Sequence, residues 1–139
     1  MYGTVLLPTD GSEATTDAAA HAFDHADRCD ATPHVLSVVE LSSGPGRAGR
    51  DRAAIDRRRA ERTETAERLL EDAPETVDAT VAVEFGSPAV VVADHATDVA
   101  ADLVVVSTRA RSGAGRLVSG SVTEAVIESG DVPVLAVQR

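Results

Sequence analysis

The sequence predicts an α/β fold: one open, parallel five-stranded sheet with helices on both faces. Three observations carry this. Strand-like and helix-like segments alternate as β-α-β-α-β-α-β-α-β, the order that builds a parallel sheet with crossover helices. The segment DLVVVST (102–108) is apolar without alternation, as a strand covered on both faces should be. The 139 residues are 43% hydrophobic but only 2% aromatic, which suits one domain with a core of Val, Ala, Leu and Ile.

The elements follow in order. YGTVLLPTD (2–10) is a β-branched and aliphatic run, and Pro8, which has no N–H, belongs at the strand's end. Asp10 or Ser12 caps a first helix that runs to Cys29 with an alanine face of Ala14, Ala18, Ala22 and Ala26. A second strand centres on Val35–Glu40, and GPGRAGR (44–50) is read as a flexible loop. Asp51–Asp72 predicts a charged helix with a thin stripe of Ala54, Ile55, Leu69 and Leu70, its segment DRRRAERTE reading as exposed. TVDATVAVEFG (76–86) alternates Val77, Ala79, Val81, Val83 and Phe85 on one face. Ser87 is the expected cap of a third helix, with Pro88 at its first position, extending to Ala100. A fourth helix is expected from Gly120 to Gly130, followed by a last strand over 132–138.

Charge narrows the function classes. The net charge is −10, and all 13 basic residues are arginine. An acidic chain disfavours nucleic acid and anionic membranes as partners. The acidic surplus without lysine points to a halophilic, high-salt cytoplasm, with GC-rich codon usage plus ordinary acidity as the alternative. At molar salt the Debye length is roughly 3 Å, so this charge does not repel anions at a distance. No apolar run approaches the roughly 20 residues a membrane span requires, and the start, MYGTVLLPTDG, lacks the basic region of a signal peptide. A single cysteine, Cys29, fits a reducing compartment. The expectation is a soluble cytoplasmic protein with no membrane partner.

Open parallel sheets bind ligands beyond the carboxyl ends of their strands. There the sequence offers PTDGS (8–12), ELSSG (40–44), FGSP (85–88) and the long STRARSGAGRLVSGS (107–121). The last combines Gly113, Gly115 and Gly120, the hydroxyls of Ser112, Ser119 and Ser121, Arg109, Arg111 and Arg116, and a helix start, all suited to a phosphate. It lacks the Walker-type G-x-x-x-x-G-K-[ST], and Val118 stands where G-x-G-x-x-G needs its third glycine. Its composition is equally that of an ordinary glycine-rich turn.

PTDGSE (8–13), HVLSVVE (34–40), FGSP (85–88), GRLVSGSVTEAVIES (115–129) and DVPVLAV (131–137) together resemble the universal stress protein family, in order and across the whole chain. The resemblance implies one universal stress protein domain over 1–139, a Rossmann-like sandwich of the adenine nucleotide alpha hydrolase type. It implies a homodimer, joined through strand 132–138, serving the stress response with a protein partner. ATP-binding members carry G-x-x-G, nine residues, then G-[ST]. Here Ser107 and Ala110 replace both leading glycines, Arg109 lies between them, and Gly120–Ser121 match. A left-handed backbone at Ala110 would cost roughly 1–2 kcal/mol. By the same resemblance Pro8, Thr9 and Asp10 line the nucleotide, Val38 meets the base, Ser107, Arg109, Ala110, Gly113 and Gly120 form the loop, and Ser121 and Val122 donate N–H groups to phosphate. Asp10 has two readings, a nucleotide acceptor or a helix cap. The implied ligand is ATP or another adenine nucleotide, with Mg2+ as an optional companion, acting as a switch. The alternative is a dimeric interaction module that binds no nucleotide.

Two patterns are read as incidental. GPGRAG (44–49) spells G-x-G-x-x-G but opens onto a polar helix start. Asp17, His21, His25 and Cys29 share a helix face, yet eight residues of helix span about 12 Å, too far for one ion. No residue set specifies a covalent catalyst, so any turnover is expected to be a slow ATPase at most.

Overall fold

The computed structural model describes residues 3–9, 15–40, 52–107, 126, 128 and 132–137. Five parallel strands form one sheet: β1 (Thr4–Thr9), β2 (Thr32–Val39), β3 (Thr80–Phe85), β4 (Leu103–Ser107) and β5 (Val134–Val137). Their order is β3-β2-β1-β4-β5. The chain therefore builds outward from β1 to β3, then crosses back to start the other half at β4. Helices α1 (Thr15–Cys29), α2 (Arg52–Leu69) and α3 (Pro88–Asp98) fill the crossovers.

Period-two alternation sorts the strand side chains onto two cores. Val5, Leu7, Val35, Leu103 and Val105 face α1 and the end of α2, packing on Ala18, Ala22, Phe23, Ala26 and Ala66. Leu6, Leu36, Val38, Val104 and Val106 face the other way, against Val92 and Ala96 of α3 and against Val126. The alanine face expected on α1 is thus buried at Ala18, Ala22 and Ala26, while Ala14 lies outside the described residues. Small residues on α1 let the helix sit close to a sheet of branched side chains.

Helices α1 and α3 stop alike. Asp30 and Ala100 adopt left-handed backbone, with φ of 54° and 53°. Behind them Ala31 N–H donates to Ala26 O, and Ala101 N–H to Ala96 O, each at 2.9 Å. These closures turn the chain straight into β2 and β4 without a glycine.

Several expectations need correction. The last strand, expected from 132, begins at Val134, and the third helix, expected to extend to Ala100, ends at Asp98. The strand expected over 76–86 begins at Thr80, because a turn closed by Val77 N–H on Pro74 O occupies the preceding residues. Val77 and Ala79 still pack on the α1-side core. The second helix ends at Leu69 and continues only as a tight 3-10 turn over Leu70–Asp72. Ser87 does precede α3, with Pro88 in the first turn, but its hydroxyl makes no capping bond. The entry is shaped instead by Gly86, whose φ of 148° suits glycine, and where a Cβ would come within 3.0 Å of Val91 Cγ2.

Candidate functional site

The strand order puts the change of winding direction between β1 and β4, where open α/β sheets form their ligand crevice. The carboxyl ends there are Thr9 and Ser107. The β1–β4 ladder pairs only Val5 with Leu103 and Leu6 with Val104, whereas β1 and β2 pair over all six residues from Thr4 to Thr9. Pro8 lies in the unpaired stretch. It has no N–H to donate, so its place in a central strand is where that strand parts from its neighbour.

The four buried polar residues among those described are Thr9, Thr15, Ser37 and Ser107, and all lie at this end of the sheet. Thr9 is the register partner of Ser37, and extending the Val5–Leu103 register by four residues puts Thr9 level with Ser107. Ser37 is level with Val83 on β3, and Ser107 with Val137 on β5. One layer across the sheet therefore reads Val83, Ser37, Thr9, Ser107, Val137. Its central three strands carry hydroxyls, and its flanks carry valine.

Two of these hydroxyls are engaged. Thr9 Oγ1 shares a 2.9 Å hydrogen bond with Thr15 Oγ1 at the start of α1. Ser37 Oγ accepts from Arg62 Nε at 3.0 Å. Ser107, 7% exposed, has its Oγ buried with no hydrogen-bond partner among the described residues. Buried hydroxyls are rarely left so, because losing water without a replacement bond costs about 1–3 kcal/mol.

Two arginines of α2 reach the neighbouring strands β2 and β3. Arg62 Nη2 donates to Val38 O at 2.8 Å, beside its bond to Ser37. Arg59 Nη1 donates to Val83 O at 2.8 Å, and its guanidinium carbon lies 4.8 Å from the Phe85 ring centre. The segment read as exposed is exposed over 56–61, yet Arg59 and half-buried Arg62 still hydrogen-bond to the sheet. The missed signal is one of spacing: Ile55, Arg59, Arg62, Ala66 and Leu69 recur at intervals of four, three, four and three. Arginines at 59 and 62 prolong a face that is apolar from Ala66 onward.

Of the site residues expected from sequence, Pro8, Thr9 and Ser107 stand together at the carboxyl ends of β1 and β4. Val38, next to last in β2, has its side chain in the α3-side core and its carbonyl accepting from Arg62. Asp10, Arg109, Ala110, Gly113, Gly120, Ser121 and Val122 lie outside the described residues, as do both GPGRAG and most of STRARSGAGRLVSGS. Ser37, Arg59 and Arg62 join the site from the structure alone. Cys29 Sγ lies 3.8 Å from His25 Nδ1 on exposed α1, and among the described residues no three metal-ligating side chains come together.

A second ionisable cluster lies away from the crevice. His34 Nδ1 and Thr80 Oγ1 share a hydrogen bond of 2.7 Å between β2 and β3. Burial, with repulsion from His95 on α3 added to it, lowers the His34 pKa below its ordinary 6.5.

Comparison with known proteins agrees with this geometry. The family model described as the universal stress protein family matches residues 1–138. Universal stress protein MJ0531 of Methanocaldococcus jannaschii is 30% identical over 142 residues, covering 100% of this chain and 84% of the relative. The solved structure of protein MJ0577 superposes with a TM-score of 0.82 at 22% identity, covering 100% of this chain and 97% of that one. A universal stress protein solved in complex with cAMP superposes with a TM-score of 0.65 at 28% identity, covering 99% and 97%. Sequence match along the whole chain and a shared five-stranded topology lead to one conclusion: the chain belongs to the universal stress protein family.

Proposed function

We propose that this protein binds ATP or another adenine nucleotide in the crevice at the carboxyl ends of β1 and β4, and that occupancy acts as a switch. The observation that carries the reading is the layer of buried hydroxyls at Ser37, Thr9 and Ser107, with the Ser107 hydroxyl unpartnered among the described residues. A buried donor of this kind at a sheet's switch point suits a ligand oxygen. The relative solved with cAMP supports an adenine nucleotide as the class. In this reading Pro8, Thr9 and Asp10 line the ligand, and the backbone of Val38 borders the base. Ser107, Arg109, Ala110 and Gly113 flank the phosphates with Gly120, Ser121 and Val122, and Mg2+ is an optional companion. No side chain is assigned to activate water, so hydrolysis is slow or absent.

The working unit in this proposal is one domain over 1–139, assembled as a cytoplasmic homodimer through strand 132–138 and suited to a salt-rich interior. Occupancy changes what the dimer presents to a protein partner during stress. One observation favours a second reading, a dimeric interaction module without nucleotide: Ser107 and Ala110 replace both leading motif glycines. Calorimetric titration of ATP with and without Mg2+, in molar potassium chloride, separates the two. Saturation near one nucleotide per subunit supports the first; absence of heat from a folded dimer supports the second.

A further inference from the structure

The middle of α2 is tied to the sheet by Arg59 and Arg62, whose attachment points lie toward the carboxyl ends of β3 and β2, two strands and one strand from β1. We propose that Arg62 is a positioning residue for the crevice, and that Arg59 and Arg62 form a latch through which α2 responds to a bound adenine nucleotide. The inference rests on the nucleotide reading above and concerns how that site is regulated.

The geometry is specific. Half-buried Arg62 places Nε on Ser37 Oγ at 3.0 Å and Nη2 on Val38 O at 2.8 Å. Two donors of one planar guanidinium thereby fix two consecutive residues at the carboxyl end of β2. Ser37 is the register partner of Thr9, so this clamp lies one strand from the β1–β4 opening. Arg59 repeats the attachment one strand further out, on Val83 O and over Phe85.

The energetics favour a latch over a packed helix. Ala66 is the one buried residue of α2, and none from Arg52 to Thr65 is buried. Lifting α2 as far as Arg62 therefore exposes no fully buried side chain and breaks these directional bonds. Segments with few buried apolar contacts open at the low end of a protein's stability range. A ligand that steadies the end of β2 steadies the groups to which Arg62 donates. Linkage then requires the docked Arg62 to raise ligand affinity by the same factor.

The test compares the full-length wild type with Arg62→Met, Arg62→Lys and, as a control on the same helix, Arg57→Met, using exposed Arg57. ATP affinity is measured by calorimetry, and backbone exchange over residues 52–62 by mass spectrometry with and without ATP. We expect Arg62→Met to weaken ATP binding about tenfold and to speed ligand-free exchange over 52–62, within the usual range of coupling. Arg62→Lys recovers part of the affinity, and Arg57→Met matches the wild type. In the wild type, ATP slows exchange over 52–62. A folded Arg62→Met that binds ATP like the wild type overturns the positioning role, and so does wild-type exchange over 52–62 indifferent to saturating ATP. If Arg62→Met does not fold, Arg62→Lys and the wild-type exchange decide the matter. A wild type that binds no ATP removes the nucleotide reading and the coupling with it, an outcome distinct from a variant that merely binds as well.

Discussion

At the amino end of the sheet, Asp102 accepts from Gly3 N–H at 2.9 Å and from Thr4 N–H at 3.0 Å, tying β1 to β4. Asp102 N–H donates in turn to Thr4 O at 2.8 Å, and Thr32 N–H to Gly3 O at 2.9 Å. At the carboxyl end the same two central strands part after Leu6 and Val104. Proline stands where a donor would be, and buried hydroxyls stand at Thr9, Ser37 and Ser107, one residue beyond the apolar layer of Leu36 and Val106. Both ends belong to the same two strands, yet one is closed by backbone-to-carboxylate bonds and at the other the ladder between them stops. At the carboxyl end the backbone ladder between these two strands stops while their side chains turn polar. The amino end shows how this chain closes that pair when stability is the task.

That contrast can be broken by mutation. The largest effect belongs to the amino end. Asp102→Ala removes two hydrogen bonds to a charged acceptor and should destabilise the fold by about 2 kcal/mol. Thermal melting should show a loss of roughly 4–8 °C, with ATP affinity unchanged. A loss of affinity without a loss of stability would erase the distinction between the ends. A smaller gain is expected next to it: Ala100→Gly relieves a left-handed backbone and should stabilise by about 1 kcal/mol, read by denaturant titration.

At the carboxyl end the pattern reverses. Ser107→Ala deletes a buried hydroxyl unpartnered among the described residues, so stability should stay level or rise by up to about 1 kcal/mol. ATP binding should weaken about fivefold in the same variant, the loss of one modest hydrogen bond. A clear drop in melting temperature would show that the hydroxyl serves the fold instead.

The smallest effect is one of pH. The folded-state pKa of His34 lies below 6.5 through burial and the His95 charge. The unfolded chain then binds the proton more readily, so stability is full above pH 6.5 and falls as pH drops from there through the folded-state value. His34→Gln should flatten that acid slope in melting curves between pH 7 and the lowered pKa. An unchanged slope would assign it to other groups.

Much of the fold was readable because its signals are local. The apolar run ending at Ser107, the alanines of α1 and Pro88 at the start of α3 each reflect a constraint felt within a few residues. The site was readable in part. Pro8, Thr9 and Ser107 could be named because chain order alone predicts which strand ends flank a switch point. Ser37 was hidden inside VLSVV, where nothing local says that its hydroxyl lies level with those of β1 and β4. Arg59 and Arg62 read as solvated charge because their partners, Val83 O and Val38 O, are backbone atoms of distant strands. Strand β3 was drawn too long because Val77 and Ala79 alternate like a strand while lying in a turn and the stretch after it. Tertiary contacts, not propensity, decided these cases.

The most direct test of the central claim is an amide NMR titration of the isotope-labelled protein with ATP in molar potassium chloride. Nucleotide binding in the crevice predicts saturable shifts at Thr9, Ser37, Val38 and Ser107, with Gly3, Thr32 and Asp102 at the opposite end unmoved. A spectrum that ATP leaves unchanged, or shifts confined to the amino end, would contradict it.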